Sequence, residues 1–399
     1  MTARQDQAEP RKGASTVPAK ASAGPAAPRR VAFNRLAPGV QVIRPELDAA
    51  IARVLDSGWF LLGPELERFE QVFAAVHGGA GFQAVGVGSG TDALRIGLEA
   101  LGVQPGDDVL VVANAGVPPV AAVVAAGGRP VFCDVDPRTH ALDRDEIDRR
   151  ATPSSRALLV VHLYGQPAPM DAIVDRARAR GLRVLEDCAQ AHGARYGGRL
   201  VGTFGDAAAF SFYPTKNLGA LGDAGAVMTA DSAVAERARV LRMYGWRPGS
   251  KYVSEQQATV SRMDELQAAL LSAKLPHLEA WTAARRRLAA VYRERLSGVV
   301  ELPPPDGVFH LFVVRTAGRD ALRAFLAEQG VGTDVHYPLP AHLQAPYAAY
   351  GQGPGSLPVT EALAREVLSL PLYPELAIED VAYVADQVRR WASRRAGGG

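Results

Sequence analysis

The sequence predicts an α/β protein, with a mixed, mostly parallel sheet in a large domain and a smaller α+β domain at the C-terminal end. Three features carry that expectation. Short apolar runs recur at Val109–Ala113, Pro130–Val135, Ala157–Leu163 and Leu182–Asp187. Helical segments fall between them, at Pro119–Ala126, Asp143–Arg150 and Met170–Arg180. Strands alternating with helices need crossover connections, so the strands run parallel with both sheet faces covered. After about residue 230 this alternation stops and longer helical patterns take over.

The elements follow in order. Residues 1–30 are rich in Ala, Pro, Lys and Arg and hold almost no large apolar side chain, so they read as a disordered tail. No unbroken apolar core follows their positive charges, which argues against a secretory signal, and no apolar run nears twenty residues. A helix over Arg44–Ser57 places Leu47, Ala50, Ile51, Val54 and Leu55 on one face, with Gly58 suited to its end. A second helix covers Glu65–His77, and Ala84–Leu94 reads as strand, glycine turn and helix start. The large domain is expected over residues 31–255 and the small one over 256–399. In the latter, a helical stretch Arg262–Leu296 should kink at Pro276. Strand-like Phe309–Arg315, helical Ala321–Gln329, a Pro-rich segment Tyr337–Pro346 and a closing helix Glu379–Trp391 complete the chain.

Composition narrows the function classes. A charged fraction of 22% with net charge +2 and no dense basic stripe gives no footprint for nucleic acid. The two cysteines, Cys133 and Cys188, lie in apolar runs without metal-ligand spacing. Buried free thiols, a cytoplasmic setting and no metal site are the expectation.

Three stretches carry chemistry. At Gly88-Ser-Gly-Thr-Asp-Ala-Leu94 a strand feeds a helix through small residues, presenting free N–H groups and the positive helix end to an anion such as phosphate. Ser89 and Thr91 add hydroxyls. Read alone, this is also a Gly-x-Gly-x-x-Ala turn with Asp107 and Asp108 downstream, so a dinucleotide-dependent oxidoreductase stays open, as does a plain turn. Asp187 ends an apolar strand, where a carboxylate is unfavourable unless compensated, for example by a protonated ring nitrogen; Gln190 is near enough to reach a ring oxygen, and a helix-capping Asp is the alternative. Lys216 follows the strand Ala207–Tyr213 in a glycine-flanked apolar turn, where desolvation lowers the pKa of an amine nucleophile. Together, a phosphate turn, a strand-end Asp and an isolated Lys are the parts that hold pyridoxal 5′-phosphate, with Ser211 placed for another phosphate contact.

The stretches Gly88–Leu94, His162-Leu-Tyr-Gly165, Glu186-Asp-Cys-Ala-Gln-Ala-His-Gly-Ala194, Phe210-Ser-Phe-Tyr-Pro-Thr-Lys-Asn-Leu-Gly219 and His336-Tyr-Pro338 stand in one order over about Asn34–Trp391. In them the chain resembles the DegT/DnrJ/EryC1/StrS sugar aminotransferases. The resemblance implies the fold type I architecture of vitamin B6 enzymes. It makes Lys216 the Schiff-base lysine and Asp187 the partner of the pyridine nitrogen. Gln190 then lies near the ring hydroxyl, and Ser89, Gly90, Thr91 and Ser211 form the phosphate cradle. It further implies a homodimer with shared active sites, and ping-pong transfer from L-glutamate through the pyridoxamine 5′-phosphate form. The acceptor is a keto carbon of a nucleotide-linked (dTDP-type) deoxyhexose, in amino sugar or antibiotic biosynthesis, or a cyclitol ketone. His162, Tyr164, His336 and Tyr337 are candidates for holding the sugar substrate. A non-catalytic regulatory protein of the same fold stays as an alternative. Two positions depart from the family pattern. Gly116 stands where members carry an aromatic residue over the cofactor ring, and Val260 where an Asn reaches the partner's phosphate. These departures predict faster cofactor release, slowed by Gly116→Tyr unless a neighbouring side chain already fills the space.

Overall fold

The computed structural model describes residues 29–247, 249–350 and 353–396. The expected tail lies outside these residues except for Arg29 and Arg30. Arg29 is anchored by two hydrogen bonds to Asp380, at 2.9 and 2.7 Å.

Helices α1 (Ala37–Val42), α2 (Arg44–Ser57) and α3 (Pro64–His77) precede the sheet. Gly58 takes the left-handed conformation (φ 62°) that closes α2, and its N–H donates to Leu55. Pro64 starts α3, where its missing N–H has no helical role. Next come β1 (Gln83–Val87), α4 (Gly90–Ala100), β2 (Asp108–Val112), α5 (Pro118–Ala125), β3 (Arg129–Cys133), α6 (Arg144–Arg150), β4 (Ser155–Val161), α7 (Met170–Ala179) and β5 (Arg183–Asp187). A small hairpin, β6 (Arg195–Tyr196) and β7 (Arg199–Leu200), leads to β8 (Ala207–Ser211), β9 (Gly225–Thr229) and α8 (Ser232–Leu241).

Among the described residues the main sheet has seven strands in the order β1-β9-β8-β5-β4-β2-β3. β3, β2, β4, β5 and β8 pair in parallel, and β9 runs antiparallel to both β8 and β1. The strands alternating with helices are therefore parallel, as expected, and the mixed character comes from β9. Val109, Leu110 and Val111 of β2 and Leu158, Leu159 and Val160 of β4 are fully buried on both faces, which is why these strands read as continuous apolar runs.

The chain continues with α9 (Glu265–Lys274), a 3₁₀ turn Leu275–His277, α10 (Leu278–Leu296), β10 (Phe312–Arg315), α11 (Arg319–Glu328), α12 (Pro358–Glu366), β11 (Val367–Leu370) and α13 (Ile378–Ala396). Pro276 sits in the 3₁₀ turn that divides the long helical stretch, as its missing N–H requires. The run expected as one strand over Phe309–Arg315 divides. Residues 312–315 pair antiparallel with β11, while Val308 and Leu311 donate to the carbonyls of Gly165 and Tyr164 in the large sheet's loop. That crossing brings the C-terminal part to the carboxyl ends of the sheet strands. Among the described residues no helix is long and apolar enough to cross a membrane.

Candidate active site

The carboxyl ends of β1, β4, β5 and β8 converge on a cavity of about 280 Å³. Ser89, Gly90, Thr91, Asp187, Gln190, Ser211, Lys216 and Tyr337 all line it. Residues separated by more than 240 positions thus meet where a parallel sheet presents its strand ends to a ligand.

The anion end is the start of α4. Ser89 is its N-cap: its hydroxyl accepts from Asp92 N–H and donates to the Asp92 carboxylate, both at 3.1 Å. The Ser89 hydroxyl is thus engaged in capping rather than pointed at a ligand. What faces the cavity is the first turn itself, with Thr91. Gly90 is required there: a Cβ would stand 2.4 Å from Ser211 Cβ and 2.8 Å from its hydroxyl. Ser211, buried at the end of β8, therefore sits directly against the turn. Gly88 N–H donates to Ser261 Oγ at 3.0 Å, which ties the turn to the segment before α9. Ser261 had no sequence signal beyond its place beside Val260. Val260 itself is 40% exposed and bridges to Met243.

At the other end, Asp187 closes β5 and is 5% exposed. Its carboxylate accepts one hydrogen bond, from Ala189 N–H at 3.0 Å. Burial raises its pKa; the Ala189 bond and the charges of Lys216 and His162 pull the other way. Burial conversely lowers the Lys216 amine, with Asp187 opposing. The Lys216 turn is fixed from several sides. Lys216 N–H donates to Tyr213, Asn217 Nδ2 to Val308 O at 3.1 Å, and Lys274 Nζ to Gly219 O.

The donor set fits pyridoxal 5′-phosphate. A helix start and serine sit at one end, a buried carboxylate lacking a cationic partner at the other, and a half-buried amine of lowered basicity stands beside the cavity.

The four residues expected to hold the sugar separate. Tyr337 lines the cavity; its hydroxyl accepts from Gln190 Nε2 at 3.2 Å. His162 is corrected out of the site, because it is completely buried with both ring nitrogens engaged. Nδ1 accepts from Ala168 N–H and Nε2 bonds Glu186, both at 3.0 Å. Tyr164 is corrected too: it is 5% exposed, its N–H donates to Gln190 Oε1 at 2.5 Å and its hydroxyl to His336 O. His336 points away as well, bonded through Nδ1 to Ser369 at 2.8 Å and stacked on Phe33. Both residues position the segment that carries Tyr337. His162, Glu186 and Cys188 offer ligand atoms within 4.8 Å of one another, but the His162 nitrogens and both Glu186 oxygens already have partners.

Gly116 adopts φ +78°, and a Cβ there would stand 3.1 Å from two carbons of the Tyr337 ring. The Tyr337 ring therefore occupies the space beside position 116, and a side chain there requires that ring to shift by a few tenths of an ångström. This is the case in which a neighbouring side chain already fills the space that Gly116→Tyr would use. The dinucleotide reading fails on geometry. Asp108 begins β2, at the strand's opposite end from the cavity, and is held by Arg129 and Thr152, both at 2.6 Å.

Comparison with known proteins agrees with this arrangement. Residues 41–389 match the DegT/DnrJ/EryC1/StrS aminotransferase family. The dTDP-3-amino-3,4,6-trideoxy-alpha-D-glucose transaminase of Streptomyces venezuelae is 49% identical over 371 residues, 92% of this chain and 97% of that protein. The erythromycin biosynthesis sensory transduction protein EryC1 of Saccharopolyspora erythraea is 48% identical, over 86% and 94%. The X-ray structure of S. venezuelae DesV in complex with a ketimine intermediate superposes with a TM-score of 0.88 at 49% identity, covering 92% of this chain and 99% of that one. With the motif order, the sheet and the cavity in agreement, the chain belongs to the DegT/DnrJ/EryC1/StrS aminotransferase family.

Proposed function

We propose that this protein is a pyridoxal 5′-phosphate-dependent aminotransferase that moves an amino group from L-glutamate to the C-3 ketone of a dTDP-linked deoxyhexose. The observation that carries the reading is the meeting of Lys216, Asp187 and the Ser89–Thr91 turn on one cavity. The 3-amino sugar is favoured over a cyclitol ketone by the 49% identical transaminase.

In this reading the start of α4, Thr91 and Ser211 hold the cofactor's phosphate, and Asp187 keeps a proton on its ring nitrogen. Once bound, the cofactor supplies an electron sink that acidifies the Cα proton of the amino acid. Lys216 would hold the cofactor through its aldehyde carbon and, as a free amine, would take the proton from Cα of glutamate. Burial lowers its basicity, which raises the share of that free form, with Asp187 opposing. Gln190, already fixed by Tyr164 N–H, would bound the ring's edge, and Tyr337 lines the same cavity.

A homodimer is part of the proposal. Trp59, Phe60, Tyr252 and Val253 are 57%, 55%, 75% and 59% exposed, large apolar side chains that a second copy would cover. A cytoplasmic setting accords with Cys133 and Cys188 as buried free thiols. A regulatory role is favoured by the name of one relative, whereas the Lys216–Asp187 pair favours turnover.

The test is to incubate the protein with the cofactor, L-glutamate and a panel of keto sugar nucleotides, then read product masses. A mass gain for an amino sugar nucleotide with matching 2-oxoglutarate is expected. Cofactor binding without turnover on any ketone would sink the enzymatic reading.

A further inference from the structure

A second, smaller cavity of about 80 Å³ lies against the Lys216 turn, away from Asp187 and the phosphate turn. Arg35, Lys274, Arg285 and Glu375 are among the groups that line it. Lys274 and Arg285 are only 9% and 5% exposed. Arg285 uses Nη1 to donate to the carbonyls of Phe309, His310 and Leu372, at 3.0–3.3 Å, while its Nε has no partner. Lys274 donates to Gly219 O and faces the Trp281 ring at 6.0 Å. Glu375 is the facing carboxylate, yet among the described residues it forms no ion pair with either cation and acts on them only at longer range.

Besides the Lys216 amine, three cations thus meet one carboxylate around a cavity, two of them buried without an ion pair. Buried charges of one sign are unfavourable unless compensated, and an anion supplies the compensation. The strain is visible in both groups: burial lowers Lys274 to about 8 and Arg285 to about 10, with Glu375 only partly opposing. Carbonyl oxygens satisfy part of each cation's donor capacity, but none carries a full negative charge.

We propose that this cavity is an oxyanion subsite, taking a carboxylate or phosphate group of a substrate as it approaches Lys216. The inference rests on the aminotransferase reading, which names two sources: the side-chain carboxylate of the amino donor and the diphosphate of the sugar nucleotide. The chemistry is shared: Lys274 and Arg35 supply charge, and Arg285 lines the same cavity.

The test uses the holoprotein, with glutarate and inorganic pyrophosphate as probes in calorimetric titrations, together with KM for both substrates. Lys274→Met keeps the side chain's bulk and removes its charge. Arg35→Gln, on the exposed rim, covers the case in which Lys274→Met does not fold. In Lys274→Met, affinity for one probe should fall about tenfold or more, the scale of one lost charged hydrogen bond. KM of the matching substrate should rise in step, and in Arg35→Gln, which leaves the contacts of the Lys216 turn intact, the same rise should come with the Lys216–cofactor absorbance unchanged. Loss of glutarate binding assigns the donor carboxylate, and loss of pyrophosphate binding the nucleotide. If wild type binds neither probe, or both variants bind both probes within twofold of wild type, the subsite does not exist. Lys274-dependent probe binding without any turnover would instead refute the aminotransferase reading and leave the subsite standing.

Discussion

Glu186 and Asp187 are adjacent carboxylates at the end of β5, and the sheet sends them to opposite sides. Glu186 is fully enclosed and saturated. Its oxygens accept from Gly202, Phe204 and Gly205 N–H, each at 2.7 Å, and meet His162 Nε2 at 3.0 Å. Asp187 accepts one backbone hydrogen bond and otherwise faces a cavity. The same chemical group is structural where every lone pair is matched and reactive where the protein withholds partners. That contrast separates the hinge of the fold from its chemistry more reliably than burial, which is nearly equal for the two.

The largest effects should come from the unsaturated side. Lys216→Ala should abolish covalent capture of the cofactor, and borohydride reduction with peptide mapping should place the pyridoxyl group on Lys216 in wild type alone. Asp187→Asn should lower turnover by about 10²–10³-fold, the scale for removing a catalytic electrostatic partner. Its melting temperature should hold or rise, because a buried carboxylate with one donor is removed. A variant retaining near-normal turnover would reduce Asp187 to a cap.

Glu186→Gln should do the reverse. Disrupting a saturated buried charge costs about 3–5 kcal/mol. The amide also turns N–H groups toward backbone N–H donors from residues 202–205. Chemical denaturation should show that loss while the surviving folded fraction keeps its bound-cofactor absorbance. Equal destabilisation by Asp187→Asn would break the comparison.

How far this contrast was legible in the sequence depends on the element. The parallel core was readable because its strands are buried on both faces and must be continuously apolar, and Pro276 announced its own break. Lys216, Asp187 and the phosphate turn were readable because each is an anomaly in its local context: a lone lysine among small residues, or a carboxylate on an apolar strand. His162 was misread because its partner is made by the fold. Nothing in His162–Gly165 reveals that Glu186 and Ala168 N–H engage both ring nitrogens. Tyr337 against Gly116 was invisible for the same reason, since it joins positions 221 residues apart. Ser89 was half read: its place at the turn is as expected, but Asp92 takes its hydroxyl.

Buried histidine extends the contrast to acid stability. His77 is 2% exposed with neither ring nitrogen hydrogen-bonded among the described residues, and burial lowers its pKa to about 4. A folded pKa below the unfolded value of 6.5 means that the unfolded chain binds the proton first. The contribution is complete above about pH 6.5 and is lost as pH falls toward 4, up to about 3 kcal/mol over that window. His77→Phe, which preserves a ring stacked on Phe73, should flatten part of the decline in denaturation free energy between pH 6.5 and 4. An unchanged slope would assign the acid sensitivity to other groups.

The smallest effect sharpens the cavity side. Position 116 has φ +78°, where a side chain costs about 1–2 kcal/mol in backbone strain. A Cβ would also stand 3.1 Å from the Tyr337 ring, so the ring must shift and loosen its hydroxyl's bond with Gln190. Gly116→Tyr should therefore speed, not slow, the loss of pyridoxamine 5′-phosphate during dialysis with glutamate. About 1.4 kcal/mol corresponds to a tenfold change, so the release rate should rise by roughly tenfold or less. Tyr337→Phe, which keeps the ring and removes only the Gln190 hydrogen bond, should change release by less than that. Release slowed by Gly116→Tyr would show that the ring of Tyr337 yields readily and that position 116 lacks a contact the cofactor can use.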